Sequence, residues 1–587
     1  MNFGFEFFAL RFEFATMKLD KHQVASVLAE MAAIFEIKGE NPFKIRAYQN
    51  AARILDGLSD DLETLIQKNE LTNIKGIGSH LADHIAELVS TGKLKEYEKL
   101  RQSVPAGIFE MLKIPGVGPK KVKALWEKLG ITNVGELEYA CNENRLVDLD
   151  GFGEKTQQKI LQGISYIKRF EDKHLFSTAY AAAQEIFMIV AANKGVIRAE
   201  IAGSLRRRKE LIRDIDILAA SEKAAPLMDL FVSLPQVDTI TAKGETKSAV
   251  VLKSGIAADL RVVSDREFPF ALHYFTGSKE HNVAMRSLAK KDSIKMNEYG
   301  LFKGERLIAC KDEEEIFKKL GLVFIPPELR EDQGEIEAAS KGKLPKLVEF
   351  SDIKGVFHCH SNWSDGTATI EAMAAAAKKL GYSYIGMADH SQSAAYAGGL
   401  KPSEVKEQIS EIDSLNRRLK GIAILKGIEA DILPDGSLDY TDNILSMFDF
   451  VIISIHSKFN MKEAEMTKRI IKGMSNRYAS ILGHPTGRLL LAREGYPVNM
   501  HDVIDAAAKH RVAIEINAHP QRLDLDWRYG KYAKSKGVKV VIAPDAHGPE
   551  GLLDMAYGIG IARKGWLEKS DILNCLSAEE MMRYFKK

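Results

Sequence analysis

The stretch Gly203-Ser204-Leu205-Arg206-Arg207-Arg208-Lys209-Glu210-Leu211-Ile212-Arg213-Asp214-Ile215-Asp216-Ile217-Leu218 decides how the middle of this chain folds. Asp214 and Asp216 alternate with isoleucines. On a strand, residues two apart share a face, so both carboxylates project to one side while the isoleucines bury on the other. Two carboxylates on one face repel unless a cation sits between them, and hard oxygen ligands suit Mg2+ or Mn2+. Upstream, Gly203-Ser204 offers a backbone N–H and a hydroxyl to a phosphate, and Arg206 to Arg208 add donors that pair with phosphate bidentately. A third carboxylate, Asp259, lies in a second strand-like run from Ala257 to Val263. Three carboxylates beside a phosphate cradle point to two-metal phosphoryl transfer. Asp-x-Asp alone occurs on many exposed strands. The Gly-Ser pair and the basic run upstream make chance a poor account of this one.

The segment resembles the nucleotidyltransferase motif of the family X DNA polymerases, the family of DNA polymerase beta. The resemblance implies that Asp214, Asp216 and Asp259 hold two ions, Mg2+ or Mn2+. It implies that Ser204 and Arg207 contact the incoming triphosphate. Arg213 departs from the pattern, because the animal enzymes have glycine there.

Bulk composition bounds the rest. The chain has 587 residues, 45% hydrophobic and 28% charged, with a formal net charge of +2. That is ordinary for globular protein and long enough for several modules. Any nucleic-acid surface must come from local basic clusters rather than from overall charge. The four cysteines are scattered with no C-x-x-C pair, which disfavours a zinc finger or disulfide framework and fits a reducing cytoplasm. No apolar run approaches the roughly 20 residues of a membrane span.

Residues 1–16 are aromatic and lack a basic n-region, so they read as a disordered extension or a misassigned start before Met17. From Lys21 to Gly92 the pattern is helical, with Val24, Val27, Leu28, Met31 and Ile34 at helix spacing. Within this region and its continuation a hydrophobic-Gly-hydrophobic-Gly pattern opens three helices: Gly76 and Gly78, Gly116 and Gly118, then Gly151 and Gly153. The glycines permit a tight turn that lets N–H groups at a helix N-terminus approach a phosphate. One copy would be a simple interhelical turn; three resemble helix-hairpin-helix motifs, which grip the DNA backbone without reading sequence. Lys120 and Lys121 flank the second copy as candidate DNA contacts, with Lys113 and Lys123 beside them.

Downstream of the carboxylates comes Tyr274-Phe275-Thr276-Gly277-Ser278, then Asn282 and Arg286. Lone aromatics are most often core. By the family resemblance, however, Tyr274, Phe275 and Gly277 press backbone against the sugar edge of the incoming nucleotide, and Asn282 and Arg286 contact the nucleotide and the template side. The charged segment 333–352 reads as a linker.

After it the histidines concentrate at the ends of short apolar runs: His358, His360, Asp365, His390, Glu429, His456, His484, Asp545 and His547. Strands alternating with helices give a parallel barrel or sheet, and ligands at strand C-termini converge on one mouth. This region resembles the PHP (polymerase and histidinol phosphatase) domain, which implies up to three ions, Mn2+ or Zn2+. His358, His360, Glu429 and Asp545 would hold one; Glu429, His456 and His484 a second; Asp365, His390 and His547 a third. Asp365 stands where many such domains have histidine, which favours Mn2+. Arg522 is a candidate phosphate clamp, His519 a further candidate at the same mouth, and Cys359 belongs to the core.

The fold expected is therefore multidomain: a helical N-terminal region with helix-hairpin-helix motifs, an α+β nucleotidyltransferase palm with a small thumb, and a C-terminal α/β distorted barrel. The expected boundaries are 1–16 extension, 17–95 helical DNA-binding domain, 96–170 fingers-like domain, 171–265 palm, 266–332 thumb, 333–352 linker and 353–587 PHP domain. The function implied is a monomeric, gap-filling DNA polymerase of base excision repair, acting on gapped or primer-template DNA and deoxynucleoside triphosphates without membrane contact. Its C-terminal site is implied to be a 3′–5′ exonuclease, with abasic-site endonuclease or 3′-phosphatase activity as further roles. The alternatives are a DNA-binding protein whose C-terminal site is mainly a phosphomonoesterase, and a scaffold without polymerase turnover.

Overall fold

The helix Lys21–Lys38 feeds two hydrophobic cores at once. Val24, Leu28 and Met31 pack with Tyr48, Leu55 and Ile85, whereas Ile34 and Ile37 join Ile108, Val122, Leu125 and Phe152. Gly39 ends the helix at φ +74°, and Pro42 opens the next, Pro42–Asp56, where a missing N–H is harmless. The computed structural model describes residues 21–586 apart from Gly57, 59–61, Lys75, Asn144, 147–148, Asp150 and Glu171, so residues 1–16 lie outside it. The chain divides into two compact units between Glu171 and Asp172. The N-terminal unit is helical throughout its described residues.

In the second unit the Asp214–Ala220 strand is the second of a five-stranded sheet, between the edge strand Arg198–Ile201 and the central Ala257–Val263; Lys247–Leu252 and Val237–Lys243 complete it. Asp214–Ala220 runs parallel to Ala257–Val263, and the other pairings are antiparallel. An antiparallel three-stranded sheet over residues 294–308 follows. The C-terminal part is a sheet of seven parallel strands in chain order, from Gly355–Cys359 to Val540–Ala543. A parallel bridge between Cys359 and Ala546 brings its two edges together into a nearly closed barrel. Its strands bury nearly every residue, as parallel strands covered by helices do.

The segment read as a linker is packed instead. Residues 335–340 form a helix, and buried Glu335 shares a 2.6 Å hydrogen bond with His281 while accepting from the N–H groups of Asp332 and Gln333. Part of the charge there belongs to buried pairing rather than to a solvated tether. Among the described residues no helix is long and apolar enough to cross a membrane.

Candidate functional site

Parallel pairing sets Asp216 directly beside Asp259, so the three carboxylates share one face of the sheet as strand alternation requires. Ile215 and Ile217 are buried behind them. Gly203, at φ +61°, passes so close that a Cβ would lie 2.1 Å from Asp216 Oδ2; no other residue fits there. Burial, then Asp214 and Asp259, push the Asp216 carboxyl up to about 7. A site that raises a carboxyl this way is one a divalent cation suits, because the ion removes the repulsion. Lys247 Nζ pairs with Asp259 Oδ2 at 2.6 Å. Lys247 was not foreseen; a lysine on an alternating strand gives no signal until its cross-strand neighbour is known.

The nucleotide-side candidates gather around the same turn. Arg207 donates to the Thr276 carbonyl and to Glu331 Oε1. Gly277 lies against it, with only 3.1 Å between an added Cβ and the guanidinium. Tyr274 and Phe275 meet edge to face at the end of the Phe268–Thr276 helix, and Asn282 Nδ2 donates to the Tyr274 carbonyl at 2.7 Å. Ser204 lies in the short Gly203–Arg206 helix, and Arg286 is exposed on the Lys279–Lys291 helix.

The barrel mouth collects all nine C-terminal candidates. Glu429 sits at its centre: Oε1 is 3.0 Å from His484 Nε2, 3.2 Å from His358 Nε2 and 3.3 Å from His456 Nε2, and Oε2 is 2.9 Å from His390 Nδ1. His360 Nε2 lies 3.2 Å from Asp545 Oδ1. Asp365 reaches His390 at 3.5 Å and His547 at 3.4 Å. Ligand atoms converge in four barrel groups: His360, Asp365, His390 and His547; His358, His360 and Asp545; His358, Glu429 and His484; and His390, Glu429 and His456, so His358, His360, His390 and Glu429 are each shared between groups. His358, His484 and Asp545 have positive φ of 56°, 22° and 54°, strain of the kind that persists where surrounding structure over-determines a site.

The donor set fits metal ions. His358 Nε2, His360 Nε2 and Glu429 Oε2 are buried without a hydrogen-bond partner although opposite groups face them. Burial raises the Glu429 carboxyl, but His456, His358 and His390 hold it well below the usual range. Burial lowers His358, and Glu515, Glu429 and Asp545 more than reverse that. A buried carboxylate held low by surrounding imidazoles is one that a divalent ion suits, because the ion supplies positive charge at the same place.

Sequence reasoning missed the groups that orient these ligands. Glu515 Oε2 accepts from His358 Nδ1 at 2.5 Å, and Glu515 Oε1 accepts from the His484 N–H at 3.0 Å. Asp431 pairs with His456 Nδ1. Such partners fix the ring orientation of a metal-binding histidine. Their signal was a carboxylate inside a fully buried strand, Ala513–Asn517 for Glu515. Arg522 Nε lies 3.5 Å from Asp545 Oδ2, at the mouth as expected. His519 stands outside the ligand groups, and Cys359 is core.

In the N-terminal unit Gly76, Gly116 and Gly151 have φ of 104°, 82° and 84°, and Gly78 and Gly118 cap the following helices. Cβ atoms added at Gly78, Gly116, Gly118, Gly151 or Gly153 would meet nothing, so these turns are open to a phosphate backbone. Lys120 is exposed, whereas Lys121 folds back to donate to the Gly116 carbonyl at 2.8 Å and holds the turn itself.

Comparison with known proteins agrees with this arrangement. A helix-hairpin-helix domain profile matches residues 20–94, a SAM-like helix-hairpin-helix tandem 108–165, a DNA polymerase beta thumb 271–331 and a PHP domain 357–519. The chain is 38% identical over 573 residues to the DNA polymerase/3′-5′ exonuclease PolX of Bacillus subtilis, covering 97% of this chain and 100% of that protein. It is 30% identical over 190 residues to a protein of Thermoanaerobacter sp. named a probable phosphatase, covering 31% of this chain and 73% of that one. It is 23% identical over 341 residues to DNA polymerase lambda of Rattus norvegicus, covering 52% and 56%. With two carboxylate-bearing sites on one chain and a relative matched along nearly its whole length, the chain belongs to the family X DNA polymerases that carry helix-hairpin-helix motifs and a C-terminal PHP domain.

Proposed function

We propose that this protein is a DNA-directed DNA polymerase that fills gaps during repair and carries a metal-dependent 3′–5′ exonuclease in its C-terminal barrel. The observation that carries the reading is the placement of Asp216 beside Asp259 on parallel strands, with the Gly203–Arg206 turn closing over them. Asp214, Asp216 and Asp259 hold the polymerase ions, Mg2+ or Mn2+. The nine barrel residues hold Mn2+ or Zn2+. Bound there, such ions supply charge neutralisation and Lewis-acid activation. Ser204 and Arg207 receive the triphosphate of the incoming nucleotide. Tyr274, Phe275 and Gly277 set backbone against its sugar, and Asn282 and Arg286 contact the nucleotide and the template side. The glycine turns at Gly76–Gly78, Gly116–Gly118 and Gly151–Gly153 hold the DNA backbone, with Lys120 and Lys121 beside them. Residues 171–265 serve as palm, 266–332 as thumb and 353–587 as nuclease. The four cysteines are free and buried, which suits a monomer in a reducing cytoplasm.

Primer extension on nicked and gapped templates with Mg2+ or Mn2+, beside degradation of 3′-labelled DNA with Mn2+, tests both halves. A folded protein that extends no primer overturns the polymerase reading. A second reading, a phosphomonoesterase in the barrel, draws on the likeness to the protein named a probable phosphatase. Comparing 3′-phosphorylated DNA with small phosphate esters as substrates separates it from the exonuclease.

A further inference from the structure

We propose that His80, His84 and Glu96 form an additional metal site, for a dication of the zinc class, in the N-terminal helical unit. His80 and His84 stand four residues apart on the Ser79–Thr91 helix, so they share a face, and their rings lie 4.3 Å apart. Gly92, at φ +70°, ends that helix and turns the chain into Lys95–Gln102, whose first turn carries Glu96. Glu96 Oε2 lies 3.2 Å from His84 Nε2, and one ligand atom from each of the three residues lies within 4.8 Å of the others.

The geometry is that of a short-range zinc site. Metal–nitrogen and metal–oxygen bonds of about 2.0–2.1 Å at a tetrahedral centre put neighbouring ligand atoms about 3.4 Å apart. The His84–Glu96 pair already has about that spacing, and exposed His80 brings a ligand atom within 4.8 Å of both. A buried partner fixes His84. The Tyr48 hydroxyl lies 3.1 Å from His84 Nδ1, so in the tautomer in which Nδ1–H donates to the phenol, the Nε2 lone pair points at Glu96. Tyr48 thus plays the orienting part that carboxylates and carbonyls play behind metal-bound histidines.

Two other occupants fit less well. A phosphate would have to sit against the Glu96 carboxylate, which faces both imidazoles. A plain ion pair would leave His80 without a part, although its ligand atom lies within 4.8 Å of those of His84 and Glu96. Lys44 Nζ, 3.6 Å from Glu96 Oε1, occupies the other carboxylate oxygen and leaves Oε2 to the site. Three protein ligands keep the fourth position open to water and clip the two helices together beside the first glycine turn.

The barrel ligands also take metal, so the test reads the N-terminal site locally in the full chain. Protein stripped with a chelator is reloaded with ZnCl2, and its zinc content and hydrogen exchange over residues 79–102 are measured. We expect zinc to slow exchange across this span. His80→Ala and Glu96→Gln, both at partly or fully exposed positions, should each lower zinc content by about one equivalent and abolish the protection. Unchanged content and unchanged protection in both variants would overturn the site. So would protection of the same span by inorganic phosphate but not by zinc.

Discussion

Lys564, at the end of a helix in the C-terminal part of the chain, donates its ammonium to the backbone carbonyl of Arg207 at 2.9 Å, although the two are 357 positions apart in sequence. The same ammonium lies 2.6 Å from Glu331 Oε1, and that oxygen also accepts from Arg207 Nε at 3.0 Å. Lys564 is fully buried, and Lys209 completes the cluster at 3.1 Å from Glu331 Oε2. A lysine of the nuclease module therefore braces the loop that carries the proposed triphosphate contact.

This cluster predicts a pH dependence. Burial raises the Glu331 carboxyl, but Lys564, Arg207 and Lys209 outweigh it and hold it at about 2. Burial drags Lys564 down to about 8, so the pair is charged at neutral pH. A carboxyl with a depressed folded-state value contributes stability above its ordinary 4.5 and loses it as pH falls toward 2. Glu331→Gln leaves a buried ammonium without its carboxylate, which costs about 3 kcal/mol at pH 7. Melting curves of the two proteins should converge as pH falls from 4.5 toward 2. Parallel curves across that window would show that Glu331 is not the group responsible.

The two active sites should be separable. Asp216→Asn removes one of three carboxylates around the polymerase ions and touches nothing in the barrel. Primer extension should drop about a hundredfold or more while Mn2+-dependent degradation continues. Glu429→Ala is the mirror, because Glu429 touches His358, His390, His456 and His484 at once. Degradation should vanish and extension remain. Loss of both activities in either folded variant is incompatible with two sites.

Glu515→Gln tests a residue outside the converging ligand groups. The amide keeps the volume but loses the charge that holds the His358 proton on Nδ1. Removing such a partner typically weakens metal affinity or activity about 10- to 100-fold. Exonuclease titrated with Mn2+ should therefore show a rightward shift in Glu515→Gln that excess metal partly rescues. A lowered plateau with no shift in metal dependence would place the effect on folding instead.

How much of this was legible follows from the range of each interaction. Strand alternation placed Asp214 and Asp216 on one face, and strand ends placed the nine barrel ligands at one mouth, because both patterns repeat locally. Glu515 escaped, since a carboxylate inside an apolar run has no period and its partner His358 belongs to a different strand. Lys564 and Arg207 meet only through the tertiary fold. The charge in 333–352 read as solvation because composition cannot distinguish a tether from a paired helix such as Glu335–Ser340.

The last prediction concerns chemistry at the first glycine turn. The resemblance to DNA polymerase beta implies a lysine amine there that forms a Schiff base with a 5′-deoxyribose phosphate, and lining up the first glycine turn puts His84 at that position. Imidazole forms no stable imine. Of the lysines nearest in sequence, Lys93 is exposed beyond the helix end, and Lys75 lies outside the described residues. The fold brings a third close: Lys44 Nζ sits 3.6 Å from Glu96 Oε1 and 3.9 Å over the Phe35 ring. Both contacts engage its Nζ within the helical unit. We expect DNA binding through this unit without efficient lyase activity, so borohydride should trap little covalent adduct on incised abasic DNA. A strong adduct mapping to residues 21–95 would reverse that conclusion, and its disappearance in Lys44→Ala would identify the substitute amine.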